Sequence, residues 1–588
     1  MRKFILTLSL SLTLAAGRPA ILQAQVADSL QAPAKRQAEL PEIQLKEYTI
    51  VGLAKITLPE KQRRQIFRTV TLNWIDNDRI WQRTPPPAPF RFSRIKPALL
   101  RLYEFPWLNG CLHYGSFNTA GICLNSQFKI GDFLPYFSAD FTTSDGHVDN
   151  AQWTGIGFKT GFHYRLARNH LWHLGTDYRF NKQGIYGIVN LPETDAPEVQ
   201  STLWRVNTAL EQQWTDRIST EINANLFLDE LDNFYNYQDN GWQVSGRAAL
   251  DVNKTRIGAE ASAEHMKIDV GDGYVPFDQP TELALHDYES TLLNGGLSLQ
   301  QQLGIFTARA GFISQSVQQQ IDIADSAFAD RNEFYPRLNL DAQIQDWGNL
   351  SLGYTPGMEM QRLRRLVRDL PFSEPGAFRP LEYSSRWTAA LNVQFPPRLQ
   401  LQLYGQIADL EDYLAPAASV IQLRQDWQTA PYDSSRYAGW VFLPFGKIRL
   451  LEWQIRGSGK ISEKWLANTW LTLRQSDVKS GGPNMADVEG NEVPYFPKVT
   501  AGGALRFKFY REHEFAVSFD YTGERYDDPS NSNRLDGYFL LNARMRFMIT
   551  ENIRLQLSGN NLFDKSYELW RGFEAPGING AAALQVIM

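Results

Sequence analysis

Phe515-Ala516-Val517-Ser518-Phe519-Asp520-Tyr521-Thr522 decides the fold. Large apolar residues take every other position, and small or polar residues fill the gaps. Alternate side chains of a strand point to opposite faces, so this stretch has one greasy and one wet side. The period returns in Leu541, Ala543, Met545 and Phe547 against Asn542, Arg544 and Arg546, and in Ile553, Leu555 and Leu557 against Arg554, Gln556 and Ser558. Upstream, Ile222, Ala224, Leu226 and Leu228 alternate with Glu221, Asn223 and Asn225. Leu338 to Ile344, Leu399 to Leu403 and Leu451 to Ile455 repeat the pattern. Charges such as Arg544 and Arg546 on the wet face call for a hydrated interior, because a dry sandwich core would not take them up.

The connections sharpen this reading. Short turns recur at Ala167-Arg168-Asn169, Thr215-Asp216-Arg217, Asn253-Lys254, Pro396-Pro397, Ser462-Glu463-Lys464, Arg511-Glu512 and Thr550-Glu551-Asn552. Long polar stretches lie between them: Lys182 to Gln200, Asp269 to Asp287, Gly357 to Arg379, Tyr413 to Arg436 and Lys479 to Pro497. Strict alternation of short and long connections is what an up-and-down meander gives when turns sit in the periplasm and loops face outside. Followed from Gly110 to Met588, it predicts about 22 strands, an even number that leaves both termini periplasmic. Leu584, Val586 and Met588 carry the alternation to the end, so the last strand can close on the first and leave no open edge in lipid. The expected fold is all-β: a transmembrane antiparallel up-and-down barrel over residues 109–588.

Composition agrees. Hydrophobic residues make up 43%, mean hydropathy is −0.36, and averaging a lipid face with a wet face gives just such a middling value. No window reaches the roughly 18 apolar residues of a spanning helix. The 16 Trp, 24 Tyr and 34 Phe are enough to furnish aromatic girdles at two membrane surfaces. A net charge of −5 without a long basic run offers nucleic acid no footprint.

The N-terminal region reads differently. Arg2 and Lys3, the apolar Phe4 to Ala16, and Leu22 and Ala24 before a cleavage point predict a secretory signal peptide over residues 1–24. No Cys follows the apolar run, so no lipoprotein anchor is expected. Residues 25–108 read as a Pro-rich periplasmic leader or reduced plug, with Thr84-Pro85-Pro86-Pro87-Ala88-Pro89 as a stiff connector. Cys111 and Cys123 could form a disulfide across a hairpin reversing near Phe117 and Asn118; two buried or lumen-facing thiols are the other reading.

Leu555-Gln556-Leu557-Ser558-Gly559-Asn560-Asn561-Leu562-Phe563-Asp564-Lys565-Ser566-Tyr567-Glu568 resembles the penultimate strand of TonB-dependent receptors, and Gly572-Phe573 with Ala575-Pro576-Gly577 matches the loop that follows it. Barrels of about 22 strands are the transporter class with a filled lumen. The resemblance implies transport or capture of a solute across the outer membrane. The partners it implies are lipid and lipopolysaccharide, a TonB-type energy coupler or a separate plug or periplasmic protein, and the barrel assembly machinery. Glu47-Tyr48-Thr49-Ile50-Val51-Gly52 is similar to the Ton-box strand by which such receptors contact the coupler. Two departures stand out: fewer residues precede the barrel than a family plug needs, without its paired Arg and Gly motif, and Met588 replaces the usual terminal aromatic. A passive pore, or an anchor for a periplasmic or surface partner, is the alternative function.

Candidate sites are few. Arg362, Arg364, Arg365 and Arg368, interleaved with apolar residues, suggest a short amphipathic helix that could meet phosphates or another anion; a solvated helix face is the plainer reading. Asp229, Glu230, Asp232 and Asp239 offer oxygen ligands for calcium, although their spacing matches no calcium motif. His170 and His173 should point to opposite faces of a strand and so make no metal pair. No cofactor is expected, and the 8 His residues form no Ser/His or Asp/His constellation, so no enzymatic activity is expected.

Overall fold

The computed structural model describes residues 108–588 except 150, 168, 185–197, 233–236, 271–286, 322–329, 345–346, 363–372, 375–379, 396–398, 420–438, 483–487 and 511–512. Twenty-four strands share one hydrogen-bonded sheet. Gly357–Glu359 and Ser373–Glu374 are short rim pieces, and the remaining 22 form the wall of a closed antiparallel barrel. Closure is direct: the first strand, Leu108–Gly115, pairs with the last, Asn579–Ile587, from Asn109↔Ile587 to Gly115↔Ala581. Leu108 and Met588 exchange backbone hydrogen bonds of 3.3 and 2.9 Å below that ladder. Every wall strand therefore has two neighbours, as lipid demands of backbone polar groups.

One expectation about connections needs correction. Those on the side of the chain ends are all short, such as 253–254 between Val252 and Thr255. The opposite side is not uniformly long: 116–118 and 233–236 are as brief as the turns below. In the first of these, Phe117 and Asn118 take φ of 60° and 50°, the left-handed pair that matches the twist of a tight hairpin. That hairpin sets Cys111 opposite Cys123, Cα–Cα 5.0 Å, and the two form a disulfide.

The lipid face carries both aromatic girdles. Trp214, Phe306, Trp347, Phe395, Trp465 and Tyr510 stand exposed beside the short turns, while Trp204, Phe334, Trp387, Trp453 and Phe539 stand exposed higher up. Trp204 and Trp214 lie on one face ten residues apart. That is roughly 33 Å along the strand and about 25 Å along the membrane normal at barrel tilt.

Above the upper girdle the alternation changes phase. Leu399–Ser419 and Gly439–Lys460 have 21 and 22 residues, about twice what a tilted strand needs to cross lipid. In the lower part Ile407 and Trp453 point out, and Gln406, Glu452 and Gln454 point in. Higher up, Asp409 and Arg449 pair on the outside at 2.7 Å, and Lys447 and Glu411 at 3.0 Å. There the buried inner face holds Ala408, Leu410, Ile448 and Val478. Solvent replaces lipid outside, so polar residues move out and apolar ones move in. Tyr413 onward, expected as loop, accordingly continues as strand to Ser419.

Candidate functional site

The inward-facing apolar band needs a cover, and the connection after Trp465–Ser480 supplies it. Val488, Val493 and Phe496 pack with Leu381, Ala408, Leu410, Phe445, Ile448 and Val478 in one buried cluster. Pairing between Trp465–Ser480 and Val499–Tyr510 stops at Leu473↔Val499. Above it the loop runs beside the strand instead, with Arg474 N donating to Lys498 O at 2.7 Å and Gly490 N to Val478 O at 2.8 Å. Between that strand and loop lies a polar cleft of about 590 Å³. Arg474, Asp477, Lys479, Glu489, Glu492 and Lys498 are among the residues that line it. Lys498 pairs with Glu492 at 2.5 Å, and this bond holds its ammonium above the ordinary lysine range.

Two further loops on the same side of the barrel lock onto the first. Asn531 Nδ2 donates to Glu492 O at 2.9 Å, and Asn531 Oδ1 accepts from Glu492 N at 2.7 Å. Tyr495 N donates to Tyr526 O at 2.7 Å, and the Tyr495 ring lies 4.4 Å from that of Trp570. Arg525, almost wholly buried, gives one guanidinium nitrogen to Glu568 O and Leu569 O, both at 2.7 Å. Asp527 is fully buried against Arg571. Burial pulls the Arg525 guanidinium down and pushes the Asp527 carboxyl up, the latter against the pull of Arg571.

The Asn-Leu-Phe-Asp-Lys run forms the third loop's base. Asn561, in the left-handed region at φ 48°, donates from Nδ2 to Lys565 O and Pro576 O and accepts from Lys565 N. Asp564 Oδ1 accepts from Ile578 N at 2.7 Å. Short polar side chains tolerate this backbone and replace the missing ladder bonds, which is why the motif needs Asn and Asp here. Residues 488–498, 523–537 and 561–578 thus make a cross-braced roof at the end of the barrel opposite Leu108 and Met588.

The residues singled out in the sequence fare unevenly. Arg362 turns inward, with Nη2 2.6 Å from Glu264 Oε1 and its guanidinium 3.8 Å from the centre of the Phe227 ring. Arg364, Arg365 and Arg368 lie outside the described residues, as does the segment Glu47 to Gly52. Asp229 and Asp239 are direct cross-strand partners, whereas Glu230 follows on the opposite face. Asp232 closes the strand Ile218–Asp232. No group of three or more metal-type ligands occurs among the described residues.

His170 and His173 do face opposite ways, but His173 has a partner no spacing rule reveals. It sits across from His163 on the neighbouring strand, ring centres 4.6 Å apart, with Tyr136 Oη 3.1 Å from its Nε2. Gly161 and Gly175 open the slot for that hydroxyl, since a Cβ at either would stand 2.5 or 2.4 Å from it. The roof likewise joins residues scattered over some ninety positions, and only its Asn-Leu-Phe-Asp-Lys corner carried a local signal.

Comparison with known proteins gives a consistent picture. Residues 103–562 match the family described as TonB dependent receptor-like, beta-barrel. A stretch of 166 residues is 23% identical to a probable TonB-dependent siderophore receptor, PiuA, of Acinetobacter baumannii. That stretch covers 27% of this chain and only 22% of the relative's length. In fold, the chain is similar to the crystal structure of the A. baumannii siderophore receptor PiuA. The TM-score is 0.60 at 14% identity, over 82% of this chain and 81% of that one. It is also similar to the FrpB iron transporter of Neisseria meningitidis (F5-1 variant), with a TM-score of 0.63 at 10% identity over 82% of each.

Proposed function

This chain belongs to the TonB-dependent receptor-like β-barrel family, and from that premise we propose that it captures a solute at the outer mouth and takes it across the outer membrane by coupling to a TonB-type energy protein. The carrying observation is the braced roof of three loops over the mouth of a closed wall, with a polar cleft of about 590 Å³ between strand and loop. A mere pore has no use for loops tied by a buried ion pair and a buried guanidinium, whereas a receptor needs a fixed surface that does not pay ordering entropy on each encounter. The names of the similar proteins, siderophore receptor and iron transporter, make iron chelates the first class of solute to try. Residues 25–107, ahead of the wall, would supply both the contact for the coupler at Glu47 to Gly52 and the filling of the lumen.

The test is equilibrium binding of a panel of ferric catecholate, hydroxamate and citrate complexes to the purified full chain. One member of the panel should bind, and Lys498→Ala or Lys479→Ala in the cleft should each weaken it about threefold to tenfold. Absence of binding by every chelate, or affinities unmoved by both substitutions, would sink the reading of this cleft as the capture site.

A further inference from the structure

Four polar side chains of the inner wall converge where the wall itself goes bare. Across the strands Phe133–Ser144, Trp153–Ala167, His170–Gly184 and Glu198–Gln213 one register row reads Tyr136, Gly161, Gly175, Asn207. In the neighbouring row on the same face, His163 stands opposite His173. These residues face the lumen, because Ile156, Phe158, Tyr164, Leu166 and Trp204 of the alternate set stand exposed on the lipid side. The two imidazole rings stack with their centres 4.6 Å apart. The phenol of Tyr136 lies over both glycines, and its Oη comes within 3.1 Å of His173 Nε2. From the other side, Asn207 Nδ2 stands 3.4 Å from His173 Nδ1. A Cβ at Gly175 would stand 2.4 Å from Tyr136 Oη and 2.9 Å from Asn207 Oδ1. Two adjacent strands thus give up their side chains at directly opposed positions, and nitrogen and oxygen donors take the room.

We propose that this pocket binds a divalent transition-metal ion of the zinc or copper kind. His163 and His173 supply one imidazole nitrogen each, Tyr136 supplies the phenol oxygen, and water completes the shell. Imidazole is a preferred ligand of these ions. Zn–N bonds of about 2.0–2.1 Å put two tetrahedral ligand atoms about 3.3 Å apart. Tyr136 Oη and His173 Nε2 already stand at 3.1 Å. The ring spacing of 4.6 Å lets a turn of the His163 side chain bring one of its nitrogens to a similar separation. Asn207 holds the other ring nitrogen of His173, as an outer partner does at metal-bound imidazoles. An ion seated among wall side chains leaves the lumen to residues 25–107, which contain no His or Cys and so offer no competing imidazole or thiolate. The site lies apart from the capture cleft, and the proposal does not rest on the uptake reading.

Calorimetric titration of Zn²⁺ into the purified full chain, in a buffer that does not chelate, tests it. The wild type should bind one ion. His163→Ala and His173→Ala should each weaken binding at least about tenfold, and Tyr136→Phe about threefold. His170→Ala, near in sequence but on the opposite face, should leave it unchanged. Cu²⁺ bound in place of zinc should show electron paramagnetic resonance coupling to two nitrogens, falling to one in His163→Ala. General loosening of the wall does not produce that one-nitrogen spectrum. No zinc binding by the wild type, binding unmoved by both His substitutions, or a copper spectrum without two imidazole nitrogens overturns the proposal and leaves the stacked pair as wall packing.

Discussion

Replacing Arg571 by alanine is expected to loosen the outer roof by about 3–5 kcal/mol while the wall stays folded. Burial sets the size of the effect. Asp527 has no exposed surface and its carboxylate is paired with Arg571, so removing the cation strands a charge away from water. Burial already pushes the Asp527 carboxyl up, against the pull of Arg571. Arg525, a few residues away, ties the same loop to Glu568 and Leu569, so the damage should spread through 523–537 and 561–578 together. Hydrogen exchange of those amides should accelerate about a hundredfold or more, with the strand amides unchanged. Adding Asp527→Asn to Arg571→Ala should recover much of the loss, because it removes the stranded charge. Roof exchange unaltered by Arg571→Ala would mean that the pair does not brace it.

The second large effect separates the two faces of the wall. Ile222 is exposed on the lipid side of Ile218–Asp232, and Asn223 points inward beside Glu221 at 2.8 Å. Ile222→Arg puts a guanidinium near mid-bilayer and should cost about 2–4 kcal/mol. Asn223→Arg, one residue on, gains Glu221 as a neighbour in a hydrated lumen and should cost under about 1 kcal/mol. Denaturant unfolding in lipid vesicles measures both. Equal losses would contradict the assignment of faces, since a one-residue shift of register exchanges them.

That assignment was the most legible feature of the sequence. Phe515 to Thr522 and Ile222 to Leu228 state which side is wet because lipid and water act on alternate residues of the same strand. Closure was legible too, from alternation carried through Leu584 and Val586. Where the surroundings change, the same rule misleads. Tyr413 to Ser419 was read as loop, yet it continues a strand on which Asp409 and Glu411 already form the solvent face and Leu410 points inward. The roof was legible only at Asn561 to Asp564, where local backbone geometry selects the residue types. Its other members, Glu492, Arg525, Asp527 and Arg571, meet through loop closure, which leaves no period to read. The same holds for His163 and His173, brought together by strand register rather than spacing. Arg544, Arg546 and Arg554 were each visible as wet-face residues, but their sharing of one wall follows only from the order of the strands.

Energised uptake is tested by accumulation of a radiolabelled ferric chelate by cells making this chain, with and without the energy-coupling protein. The chelate should be the one that binds the purified receptor. Accumulation should be lost when the coupler is absent or when residues 47–52 are deleted, with surface binding retained in both cases. Accumulation that persists at the same rate without the coupler would contradict it, and would make the barrel a passive route.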